Sequence, residues 1–136
     1  MEETIPEKKP SSPTQQNIEA YMQTHNVKYV AEDAVFKNMG TGEETKGREA
    51  IAGMLHYIYH IAFDAKAEVK NMIITEEKAL LEGDFKGRHI GEFAGMPATN
   101  KDVNVPLCVS YDLKDGLIQK ARIYMLTDVM MQQLQG

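Results

Sequence analysis

Polar and apolar positions divide the chain into a short helical part and a longer strand-rich part. Ser12 followed by Pro13 offers a hydroxyl cap and a proline at the first helical position. Ile18, Tyr21 and Met22 then recur at i, i+3 and i+4, which predicts a helix to about Gln23. Val27, Tyr29, Val30 and Ala31 suggest one or two further helical turns, closed by Glu32 and Asp33. Ala34–Met39 reads as a strand, and Gly40-Thr-Gly-Glu-Glu supplies turn chemistry after it. The clearest helix is Gly47–Phe63, where Ile51, Met54, Leu55, Ile58, Ile61 and Ala62 repeat at helical spacing and assign one face to the core. After Asp64 the period changes to two. Ala65–Thr75, Lys78–Ile90, Asp102–Lys114 and Leu117–Leu126 predict four long strands, with Glu76-Glu77 and Asp115-Gly116 where tight hairpin turns belong. Gly91–Asn100 is a Gly/Pro loop, and Thr127–Leu134 is a capped final turn of helix.

Helices followed by a long meander predict an α+β domain, a strongly curved antiparallel sheet wrapped around the N-terminal helices. Strands longer than the usual five or six residues twist and curl, so the sheet should wrap around the helices and leave a concave mouth, the default place for a ligand. A chain of 136 residues suits one domain, here 13–136. Residues 1–12 are polar and hardly carry an apolar side chain, which predicts a disordered tail. Fifteen Lys and Arg against twenty Asp and Glu leave a net charge of −5, which argues against a sequence-independent nucleic-acid binder. No apolar run approaches a membrane span and the N-terminus has no apolar signal core, so the expectation is a soluble, cytoplasmic protein with no membrane partner. Cys108 is the single cysteine, which excludes an internal disulfide and a cysteine metal cluster.

Three segments resemble a known family. Lys46-Gly-Arg-Glu-Ala-Ile51 resembles its "G-r-e-A-I" opening of the long helix. Gly87-Arg-His-Ile-Gly-Glu-Phe-Ala-Gly-Met-Pro-Ala-Thr-Asn100 resembles "G-x-H-x-G-e-f-x-G-x-p-x-T-G". Tyr111-Asp-Leu-Lys-Asp-Gly-Leu-Ile118, with Arg122-Ile-Tyr124 and Gln133-Leu134, resembles "y-x-x-x-d-G-k-I … r-x-Y-x-D … Q-L-G". In this order they are similar to the SnoaL-like polyketide cyclases and ester cyclases of the nuclear-transport-factor-2-like superfamily, over about residues 17 to 134. The resemblance implies a cone-shaped sheet around helices, usually a homodimer through the sheet. It also implies intramolecular aldol condensation without a metal or organic cofactor, with acid/base work by an aspartate at the "Y-x-D" position. Leu126 stands at that position here, and Asn100 replaces the glycine of "T-G". Asp128 is either a substitute acid or a carboxylate in the first turn of the last helix.

Several residues then compete for chemical roles. His89, near the end of a strand, is a proton donor at the pocket rim or a structural hydrogen bond to the Gly91–Asn100 loop. Arg122 and Tyr124 share a face of the last strand, read with Ile118 and Leu126, and offer a cation and a phenol; the alternative is pairing of Arg122 with Asp112 or Glu82. His56 and His60 are four apart on a helix, but Tyr57 stands where a zinc protease pattern needs glutamate, so no metal is expected. Glu82 and Asp84 alternate as either a carboxylate pair or a solvated outer face. Cys108 alternates with Val105, Leu107 and Val109 as a small buried residue. Tyr59, Phe85, Phe93, Met96 and Leu126 are the expected apolar wall for a small carbonyl ligand. Two functions follow: a cofactor-free cyclase-type enzyme using His89, Arg122, Tyr124 and Asp128 or Asp112, or a non-catalytic binding module. The apolar alternation of Val103, Val105, Leu107, Val109 and Tyr111 is the support for a homodimer through the sheet.

Overall fold

A computed structural model describes residues 12–136; the rest of the expected tail, 1–11, lies outside the described residues. Helix α1 (Pro13–Thr24) starts where the Ser12 hydroxyl accepts the Gln15 N–H at 3.0 Å, and it buries Ile18, Tyr21 and Met22. Only a single 3-10 turn (Val27–Tyr29) follows, in place of the longer helical segment expected. Val30 already belongs to β1 (Val30–Asn38), which runs through Glu32 and Asp33. Val30, Ala34 and Phe36 are buried against the core, so tertiary pairing overrides the local apolar spacing. A short β2 (Glu44–Lys46), absent from the sequence reading, pairs back onto β1. Helix α2 (Arg48–His56) then passes into a π-helical stretch (Tyr57–Ala62).

Strands β3 (Phe63–Ile74), β4 (Lys78–His89), β5 (Asp102–Lys114) and β6 (Leu117–Met125) form the meander, and α3 (Thr127–Gln135) closes the chain. The sheet order is β2-β1-β6-β5-β4-β3. Every pair is antiparallel except β1 with β6, so the expected antiparallel sheet is in fact mixed. Its concave face carries Ala79, Leu81 and Phe85 of β4, Val103 to Leu113 in alternation on β5, and Ile118 and Ala121 of β6. Val103, Val105, Leu107, Val109 and Tyr111 are thus spent on the core beneath the helices and support no interface. At Gly83 an added Cβ would sit 2.1 Å from the Glu68 carbonyl oxygen, and at Gly87 2.4 Å from that of Asp64. These two glycines let β3 ride over the inner face of β4, which curls the sheet inward. Among the described residues no helix is long and apolar enough to cross a membrane.

Candidate active site

The aromatic interior opens on one side, between the end of α1, the π-helical stretch and β3. The cavity there holds about 730 Å³ and is walled by Met22, Tyr59, Ala67 and Met72 together with the polar Glu19, His25, His60 and Lys66. A smaller recess of about 180 Å³ adjoins it and shares Thr24, His25, Tyr59 and His60. Small side chains at Ala65 and Ala67 leave room that the alternation on β3 would otherwise fill. A groove of about 800 Å³ lies elsewhere, between the start of α1 and the two hairpin turns. Glu76, Asp112 and Lys114 are among the residues lining it and none of them is aromatic, so the first cavity, with the Tyr59 ring in its wall, is the better place for a planar guest.

His25 is the residue the sequence reading missed. It follows the last turn of α1 in the left-handed conformation, φ 54°, with its N–H on the Tyr21 carbonyl at 2.7 Å. This turn swings the imidazole onto the Tyr59 ring, stacked at 4.4 Å, with Tyr21 edge-on at 5.3 Å. Burial, reinforced by His60, lowers its pKa to about 4, so the ring is neutral at pH 7. Burial raises the Tyr59 phenol to about 12, so it keeps its proton. Behind Tyr59 lie Phe85 at 5.4 Å and then Phe63. Tyr111, its own pKa pushed up by burial, donates its hydroxyl to the Met22 sulfur at 4.0 Å. The π-helical winding brings Tyr59 to the cavity; an extra residue in the turn rotates the apolar stripe. Ile61, expected in the core, is therefore 48% exposed while Ala62 is buried.

The other predicted residues are scattered. His89 is fully buried, and its Nδ1 lies 3.0 Å from the Thr99 hydroxyl and accepts the Thr99 N–H at 3.2 Å. It is outside both recesses and holds the Gly91–Asn100 loop; its Nε2 has no hydrogen-bond partner among the described residues. Phe93 meets the Phe63 ring at 5.2 Å, and Met96 bridges back to Phe93 at the loop. Arg122 and Tyr124 point to the convex face. A bulge between β5 and β6 shifts the register, so Ile118 faces the core and Arg122 does not share its side. Arg122 grips both Asp112 oxygens at 3.2 and 2.9 Å, and Lys78 reaches Asp112 at 2.6 Å. Those partners hold the Asp112 carboxyl at about 2, unsuited to donating a proton near neutrality.

Leu126 caps α3 and is 54% exposed, and Asp128 is exposed in the first turn of that helix, so neither lines the cavity. Glu82 and Asp84 share the convex face; Asn71 donates to Glu82 at 2.6 Å and Lys70 pairs with Asp84 at 2.8 Å. Cys108 sits opposite Tyr124 on that same face, on the other side of the strand from Val105, Leu107 and Val109. His56 and His60 are exposed with rings 5.4 Å apart, and no group of three metal-ligating side chains occurs among the described residues.

The sequence model of the SnoaL-like polyketide cyclases matches residues 15–134. The chain belongs to that family. Its fold is shared with a provisionally assigned SnoaL-like polyketide cyclase from Jannaschia sp. CCS1, at TM-score 0.80 and 13% identity over 93% of this chain and 97% of that one. IdmH from Streptomyces antibioticus, also provisionally a polyketide cyclase, gives 0.73 and 21% over 93% and 100%. AclR from Streptomyces galilaeus, provisionally a hydroxylase, gives 0.74 and 18% over 90% and 95%. No curated protein matches the chain by sequence. Family and fold together support a role of the cyclase or isomerase type.

Proposed function

We propose that the protein catalyses a cofactor-independent acid/base step, an intramolecular aldol cyclisation or related isomerisation, on a small apolar carbonyl compound or ester. The reading rests on one observation: a neutral His25 stacked on a protonated Tyr59 in the wall of a cavity of mixed apolar and polar lining. In a substrate with an activated C–H beside a carbonyl, an imidazole nitrogen accepts the proton while the Tyr59 hydroxyl donates to the carbonyl oxygen as its charge grows. The enolate carbon attacks a second carbonyl, and the imidazolium returns its proton to the new alkoxide. The depressed pKa favours that return, and no net proton or electron is gained. His25 thus takes the place of the aspartate that Leu126 removes, and His89 acts as a positioning residue for the loop. In this reading Arg122, Tyr124 and Asp128 stand outside the chemistry.

The test is deuterium exchange at the α-carbon of an aryl β-keto ester, followed by proton NMR. Wild type should exchange the probe faster than buffer. His25→Asn, which keeps a residue tolerant of the left-handed turn, should lower the enzymatic rate about 100-fold, and Tyr59→Phe about 10-fold or more. Saturable binding with no exchange would instead favour a non-catalytic module, and exchange unaltered in His25→Asn would overturn the assignment.

A further inference from the structure

Helix α2 and the π-helical stretch after it turn their apolar stripe inward: Ile51 is buried, and Met54, Leu55 and Ile58 pack against the core. His56 and His60 leave the same stretch on the side that faces water. Side chains four apart on a helical winding are neighbours, and the two imidazole rings lie 5.4 Å apart, tilted by 37°. Gly53, one turn before His56, has open space where a side chain would stand, so nothing crowds the pair from that direction. Neither imidazole makes a hydrogen bond or ion pair among the described residues.

The pair borders the recess of about 180 Å³, and His60 also borders the larger cavity. Among the described residues no carboxylate or thiol lines that recess, so the strong donors it offers are imidazole nitrogens. Such a set is poor for Mg²⁺ or Ca²⁺, which take oxygen ligands, and suits Zn²⁺, Ni²⁺ or Cu²⁺. Two imidazoles that share a tetrahedral ion, each nitrogen about 2.1 Å from it, have ring centres about 5 Å apart. The observed separation meets this with a small rotation of two exposed side chains. Tyr57, which stands in place of the glutamate of the zinc protease pattern, does not count against an ion: that glutamate is a general base and not a ligand, so its loss removes hydrolysis and leaves both imidazoles. No third metal-ligating side chain completes a set of three among the described residues, so an ion held here keeps positions open.

We propose that His56 and His60 form a two-imidazole site for a divalent transition-metal ion of the zinc class, at the lip of the recess beside the cavity. Its remaining positions are filled by water or by an oxygen of a bound guest. Ion binding there does not depend on the reaction assigned to His25 and Tyr59.

Isothermal titration calorimetry of the full chain, free of any affinity tag, with zinc chloride tests it. Wild type should bind one ion saturably, and copper(II) more tightly than zinc. His56→Gln and His60→Gln should each weaken zinc binding about tenfold or more, because one imidazole alone is a poor site. Both side chains are exposed, so circular dichroism should show both variants folded as wild type is, which separates loss of a ligand from loss of the fold. Electron paramagnetic resonance with copper(II) should show coupling to two imidazole nitrogens in wild type and to one in either variant. No saturable binding, binding weakened in only one variant or in neither, or a copper spectrum that the variants leave unchanged would each overturn the proposal.

Discussion

At the scale of single residues, His25 and Asp112 carry opposite consequences for pH. The unfolded chain binds a proton at His25 near pH 6.5, whereas the folded state does so only near 4, because burial and His60 disfavour the imidazolium. Stability should therefore be level above about pH 6.5 and fall as pH drops to about 4. Urea unfolding at pH 7 and 4.5 should show wild type losing about 1–3 kcal/mol more than His25→Asn. Asp112 titrates near 2 through its bonds to Arg122 and Lys78, so its contribution is present above about pH 4 and is lost as pH falls to 2. Arg122→Ala should cost no more than about 1 kcal/mol at neutral pH, the usual worth of a solvated pair, and leave α-proton exchange unchanged. His56 and His60 draw the eye in the sequence because they are four apart, yet they are exposed. His25 has no neighbour in sequence that marks it. Its one signal is a histidine directly after an apolar helical stripe, and the rest comes from a left-handed turn and from β3, some forty residues on.

The elements explain which faces were legible. Period-two alternation is long and unbroken on β5 and is interrupted on β4 only at the buried Asp84, so both strands are readable almost to the residue and their apolar sides are the core. On β6 the bulge beside Asp112 removes that parity, and this is why Arg122 and Tyr124 face outward although Ile118 is buried. A π-helical turn has no comparable signature in side-chain type, so Gly47–Phe63 reads as one α-helix and Ile61 is assigned inward. The segment after α1 has apolar residues close enough to mimic helix, and only its pairing with β6 makes it a strand. Curvature has a legible cause in the glycines. Gly87→Ala would place a methyl against the Asp64 carbonyl oxygen and the Ala65 side chain, both within 2.5 Å. Thermal unfolding should then show a loss of about 2 kcal/mol or more, because the β3 backbone it meets leaves nothing to yield cheaply. Ser12→Ala should cost about 1 kcal/mol by uncapping α1, with no effect on the probe reaction.

For the whole molecule, the order and spacing of three motifs pointed to the cone and the family, and one of them holds Gly87, where β3 comes too close for a side chain. Motif positions such as His89 and Leu126 lie at the loop and at the end of β6, while the cavity is assembled by α1, the π-helical stretch and β3. The central claim is that ligand chemistry belongs to this cavity and not to the convex face. Its most direct test is amide chemical-shift mapping of the labelled protein with the aryl β-keto ester, which locates binding whether or not turnover occurs. The largest shifts should fall on Thr24–His25, Tyr59–His60 and 65–72. Shifts centred on Ser110, Arg122, Tyr124 and Asp128, with the His25 region unmoved, would contradict it.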